Sequence, residues 1–148
     1  MAAGKRHRGW AVVLFACYLI LLLYFLFFSE LMGRTPEQTC YRYNLTPFRE
    51  ILRFIRYRHV VGFHAFFINV IGNIIAFMPM GFFLPAVTGK KLNGIQILLL
   101  SFLFSLSVET VQLLTRLGCF DVDDLILNTL GGFLGYLVYR ILRLLLRR

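Results

Sequence analysis

FDVDDLILNTLGGFLGYLVYR, residues 120–140, sets three carboxylates in front of a long, mostly apolar run. Asp121, Asp123 and Asp124 fall within four positions, and Asn128 follows one helical turn later. From Leu125 to Tyr139 there is no charge, which reads as a helix crossing a bilayer, where backbone groups must bond internally. That stretch is short for a crossing, so it is expected to continue into ILRLLL with Arg140 and Arg143 snorkelling, a span over 124–143. Acids are costly beside lipid, so their position at the mouth of this helix needs a reason.

The surrounding chain confirms the solvent. Of 148 residues, 59% are hydrophobic and only 16% charged, and the mean hydropathy is +0.74. A soluble domain carries nearer a quarter charged residues and cannot hide this much apolar surface. The formal net charge of +9 belongs to a membrane protein, and no nucleic-acid partner is expected.

Working outward, residues 10–28 form an uninterrupted apolar run of about 28 Å in helical form, close to the hydrocarbon thickness. Further spans are expected over 66–87 and 95–115, so the fold class is an all-α membrane protein with four transmembrane helices. The basic tail over residues 1–9 resembles the start of a signal peptide, but the apolar run is too long and no small-x-small site follows, so a retained helix is expected. Four spans put both termini on one side of the cell membrane. That side carries Lys5, Arg6, Arg8, Lys90, Lys91, Arg140, Arg143, Arg147 and Arg148, against Arg34, Arg42, Arg49, Arg53, Arg56, Arg58 and Arg116 on the other. The basic flank of the first span and this excess predict cytoplasmic termini.

The first loop, residues 29–65, is therefore expected outside the cell. Within it, PFREILRFIRYRH (47–59) puts Phe48, Ile51, Leu52 and Ile55 on one helical face, with Arg49, Arg53, Arg56 and Tyr57 opposite. A short amphipathic helix lying in the interface is expected between the first and second spans. Its arginines are either solvated or grip phosphate, from anionic headgroups or a lipid-linked precursor.

Polar residues inside the spans fall in one leaflet. Asn69 and Asn73 open the second span, and Ser101, Ser105, Glu109 and Gln112 repeat at helical spacing along the third. Asp124, Asn128, Gly131 and Gly135 share a face of the fourth. These predict a polar pocket opening at the outer surface, floored by Ser105 and Asn73 and rimmed by Asp121, Asp123 and Asp124. The alternative is structural: Asp121 as a helix cap, the amides as glue between helices. Gly131 and Gly135 form a small-xxx-small seam, and Pro79 and Pro85, flanking Gly81, are expected to break or kink the second span.

Four stretches taken together carry a resemblance: NLTPFREI (44–51), NVIGNIIAFMPMGFFLP (69–85), SLSVETVQLLTRLG (105–118) and FDVDDLILNTLGGFLGY (120–136). In this order, over about residues 44–140, they resemble the VanZ-like family of small membrane proteins. The family's namesake is associated with low-level teicoplanin resistance in Gram-positive bacteria, which implies a role in the bacterial cell envelope but supplies no mechanism. Asn44-Leu45-Thr46 also matches a glycosylation sequon, and is read as a chance match in a bacterial context.

No Gly-rich phosphate loop, HExxH, CxxC or Ser-His-Asp set is present. DVDD lacks the spacing and glycine of an EF-hand, and His7, His59 and His64 form no ligand set, so no cofactor or metal is expected and a divalent ion has no support. Two readings stay open. One is a non-enzymatic protein that binds an envelope lipid or precursor. The other is an intramembrane enzyme on a polyprenyl-phosphate-linked or phospholipid substrate, with Glu109 or an aspartate as a metal-assisted base. Cys40 and Cys119 both fall in outer loops, so a disulfide is topologically allowed. Finally, Asp123 or Asp124 is expected to hold an arginine of the loop helix, unless the acids are merely a hydrated cap.

Overall fold

The computed structural model describes residues 2–28, 41–56, 67–89 and 91–146. Among the described residues four helices are long and apolar enough to cross a membrane, over Arg8–Phe28, Asn69–Thr88, Gly94–Thr115 and Val122–Leu145. Their outward faces carry exposed Trp10, Ile20, Ile95, Leu114, Ile141 and Leu144, the surface that lipid requires. The chain is an all-α membrane protein.

The first helix, α1 (Ala2–Phe28), begins well before the expected residue 10. The basic tail contains no proline, and Lys and Arg are good helix formers, so the winding simply continues. After it come strand β1 (Arg42–Asn44) and the short helix α2 (Arg49–Arg56). The second span opens with a π-helical turn over Phe67–Ile71 and continues as α3 (Gly72–Thr88). Neither Pro79 nor Pro85 breaks α3, which ends only at Gly89, whose φ of 66° is the left-handed geometry that glycine accepts without a Cβ clash. A third span, α4 (Gly94–Thr115), starts on a capping box in which Asn93 and Gln96 exchange side-chain and backbone hydrogen bonds. Strand β2 (Cys119–Asp121) then leads into the last helix, α5 (Val122–Leu145).

Sequence reading missed the strands. They pair in parallel, Arg42 with Cys119, Tyr43 with Phe120 and Asn44 with Asp121, and tie the first outer loop to the mouth of α5. Three-residue strands carry too little alternation to be recognised locally.

Helix α5 is central, packed on α3 and α4, while α1 lies against α3. The α3–α5 contact is backbone against backbone. A Cβ on Gly131 would sit 2.2 Å from the Ile74 carbonyl oxygen, one on Gly135 1.8 Å from that of Met78, and one on Gly81 1.7 Å from that of Gly132. The expected seam at Gly131 and Gly135 thus meets α3, and Gly81 answers it from the facing helix. Beside the seam, Leu22, Leu26, Phe77, Met80 and Val108 join α1, α3 and α4 in a buried apolar cluster. Helix α1 is fastened along its length: Arg8 Nε donates to the Val87 carbonyl (2.9 Å), Tyr18 Oη to that of Ala76 (2.7 Å) and Gln112 Nε2 to that of Leu26 (2.8 Å). That last carbonyl is among those a helix end leaves without an internal partner.

Candidate binding cavity at the loop end

The helix ends opposite the termini, capped by β1, α2 and β2, enclose a cavity of about 380 Å³. It is lined by Asn69, Asn73, Glu109, Gln112, Asp121, Asp123, Asp124 and Asn128, eight of the nine residues assigned to a pocket from the sequence. Ser105, the ninth, lies beneath the floor, fully buried, where its Oγ accepts from Asn128 Nδ2 at 2.9 Å. The wall also includes Arg42, Asn44, Glu50 and Arg53, from the first loop. Of the three loop-helix arginines proposed for phosphate, Arg53 is on the wall and salt-bridged to Glu50 at 2.9 Å, whereas Arg49 and Arg56 are not among the lining residues.

The carboxylates are engaged in holding the chain. Asp121 caps α5, its Oδ1 accepting the Asp123 amide at 2.9 Å and Asn44 Nδ2 at 3.0 Å. Asp123, 1% exposed, does not hold an arginine. Its oxygens accept the backbone amides of Phe48, Glu50 (2.8 Å) and Ile51 (3.0 Å), so it caps α2 from across the molecule. The reason is geometric: the first turn of a helix presents amides with no internal partner and a positive dipole end, and α2 aims this end at the acids. Phe48 is thereby held at φ 63°, a left-handed conformation that a side chain disfavours by roughly 1–2 kcal/mol. Asp124 Oδ1 accepts Asn73 Nδ2 at 2.6 Å, joining α5 to α3. Glu109, 2% exposed, accepts the Asp121 amide at 3.1 Å and so joins α4 to β2.

Asn44, whose sequon is a chance match in the sequence, has a structural role. Its side chain is buried, bonds Asp121 and accepts the Thr46 amide at 3.2 Å, which makes it the hinge of the β1–α2 turn. The signal was its place at the head of the NLTPFREI stretch.

Burial pushes the Asp121 carboxyl above its ordinary range, even though its two hydrogen bonds favour the ionised form. Burial and the neighbouring Asp121 carboxylate likewise push the Cys119 thiol up, which makes it a poor nucleophile. Cys119 and Cys17 are free thiols among the described residues, while Cys40, His59 and His64 lie outside them. The described residues contain no group of three or more His, Cys, Asp or Glu side chains placed to hold a metal ion.

One polar atom in this wall stands out. Asn128 is 1% exposed, its Nδ2 is taken by Ser105, and its Oδ1 has no hydrogen-bond partner among the described residues. Buried acceptors are rarely left so, because desolvation without a partner costs roughly 1–3 kcal/mol.

Fold and site together define a four-span membrane protein with a polar cavity at one end of its bundle. The chain belongs to the VanZ/LLP1 family, whose model matches residues 15–143. It is similar to Protein VanZ of Enterococcus faecium, 36% identical over 73 residues that cover 49% of this chain and 45% of that protein. The matched part is thus about half the length of each. No solved structure matches the chain.

Proposed function

We propose that this protein is a binding component of the bacterial cell envelope, holding the headgroup of an envelope lipid or lipid-linked precursor in the loop-end cavity. By holding it, the protein lowers susceptibility to glycopeptides of the teicoplanin type. The observation that carries this reading is the unpartnered Asn128 Oδ1 in the wall of a polar cavity, an acceptor waiting for a donor such as a headgroup hydroxyl or amine. The lining sets five carboxylates against Arg42 and Arg53, which favours the hydroxyls or amine of a headgroup, with the two arginines as contacts for its phosphate. A binder is favoured over an enzyme because Asp121, Asp123, Asp124 and Glu109 are already bonded to groups that build the fold. Such carboxylates are poorly disposed to shuttle protons.

The cavity faces outward in this reading, with both termini cytoplasmic, supported by the excess of lysine and arginine at the terminal end. Helix α2 lies in the outer interface, supported by the exposed Phe48, Leu52 and Ile55 on its apolar face. The test is expression in a susceptible Gram-positive host, with teicoplanin susceptibility read beside membrane abundance. Wild type raises tolerance, and Asn128→Leu or Arg42→Gln with Arg53→Gln removes it at equal abundance. Turnover of a polyprenyl-phosphate or phospholipid substrate by the purified protein, dependent on a divalent ion, would replace this reading with the enzymatic one.

A further inference from the structure

The other end of the bundle carries a second cavity, of about 220 Å³, between the α3–α4 connection and the last turns of α5. Lys91, Arg140 and Arg143 line it together with Tyr136, Tyr139 and Leu144. The tyrosines set the arginines in place. Tyr136, 4% exposed, donates its hydroxyl proton to the Leu92 carbonyl (3.0 Å) and accepts from Arg140 Nη1 at 3.1 Å, with the guanidinium 5.8 Å from its ring centre. Arg143 Nη1 approaches the Tyr139 hydroxyl at 3.5 Å. Each guanidinium has five N–H donors, so this bracing leaves most of the fork for a ligand.

Charge at this end is one-sided. All seven acids of the chain fall in sequence after α1 or between the outer part of α4 and the start of α5, the segments that also hold seven of the arginines. The nine remaining lysines and arginines have no acid at their own end, so the whole net charge of +9 resides there. Among the described residues no carboxylate is paired with Lys91, Arg140 or Arg143. The ligand must supply the negative charge.

It must also be amphiphilic. The cavity lies where α5 leaves its apolar span, with Leu144 in its wall and Leu142, Leu145 and Leu146 exposed on the same last turns. These leucines continue the lipid-facing surface of the span, so an anion that reaches the cavity from the bilayer carries its acyl chains alongside them.

We propose that this cavity is a site for the phosphate of an anionic phospholipid, held by Arg140, Arg143 and Lys91 with the acyl chains along the leucines of the last turn of α5. It is independent of the loop-end cavity and of any role in antibiotic susceptibility. Basic pockets between membrane helices take anionic headgroups through charge and fork geometry together.

The test is native mass spectrometry of the full chain released from micelles doped with phosphatidylglycerol or phosphatidylcholine. Phosphatidylglycerol should be retained in preference, and Arg140→Gln with Arg143→Gln should weaken its retention on the order of 30-fold, from two charges near a membrane surface. Arg116→Gln, at the opposite end, should leave it unchanged. If the double variant does not fold, a photoreactive phosphatidylglycerol on the wild type decides, and crosslinks should map to Lys91 and to residues 136–144. Equal retention of the two lipids, crosslinks confined to the loop end, or full displacement by inorganic phosphate would each overturn the lipid site.

Discussion

At the scale of single residues, the acids at the mouth of α5 divide their work. Asp123 has the largest share, since its carboxylate accepts the first amides of α2, more than seventy residues earlier in the chain. Replacing it with alanine strands three amides and releases Phe48 from its left-handed conformation. The expected loss is about 3–5 kcal/mol, built from amides each costing roughly 1–3 kcal/mol when left unpaired and offset by relief of the Phe48 strain. Unfolding in detergent measures it, and hydrogen exchange should show faster exchange at Glu50 and Ile51 first. Asp121 makes a different prediction. Its carboxyl titrates above the ordinary value of 3.8, so the folded state binds the proton more tightly than the unfolded state. This group therefore adds stability as pH falls from its raised value toward the ordinary one, and withdraws it as pH rises. The difference in melting temperature between wild type and Asp121→Asn should grow or shrink across that window alone. A difference constant through it would contradict the burial of this carboxyl.

At the scale of elements, the bundle rests on the α3–α5 seam, where glycines allow backbones to touch. In lipid, helices gain nothing from burying leucine against leucine, so close van der Waals contact decides association. Gly135→Ala and Gly81→Ala drive a methyl into backbone carbonyl oxygens, which cannot rotate aside as a side chain would. Each should cost about 2–3 kcal/mol, the upper part of the range for overpacking. Gly9→Ala serves as the control, since an added Cβ there meets nothing within 4 Å. Equal thermal stability of all three variants in detergent would show that the seam is looser than described. The amide and hydroxyl bonds that fasten α1 to its neighbours are weaker ties, each worth about 0.6 kcal/mol in comparable membrane proteins. They set its register more than its stability.

At the scale of the whole molecule, two ends of different character are separated by the bundle. One is a mixed-charge cap of strands and a short helix over a cavity of about 380 Å³, the other a wholly basic surface with a smaller cavity. Positive charge at the terminal end predicts retention of that end in the cytoplasm. Cysteines placed at Arg34 and Lys90 test it with an impermeant thiol reagent on whole cells. Labelling is expected at position 34 only, and labelling at position 90 alone would invert the topology.

The four spans were legible in the sequence because hydropathy and helical spacing are local properties, repeated over many residues. The gathering of Asn73, Glu109, Gln112, Asp124 and Asn128 at one end was legible for the same reason, since four alternating helices fix the depth of every residue they carry. What each group would touch was not. The sequence offers Asp123 or Asp124 to an arginine, or all three acids to water, and Asp123 takes neither course: it holds backbone amides, which every residue but proline possesses and no letter of the sequence advertises. The Asn44–Asp121 bond, the β1–β2 pairing and the approach of Gly81 to Gly132 all join segments tens of residues apart. Their existence depends on how the helices rotate and lean against one another. Sequence determined where the polar groups lie along the membrane normal; only the tertiary structure decided their partners, because rotation about a helix axis is set by packing between helices and not by the composition of any one of them.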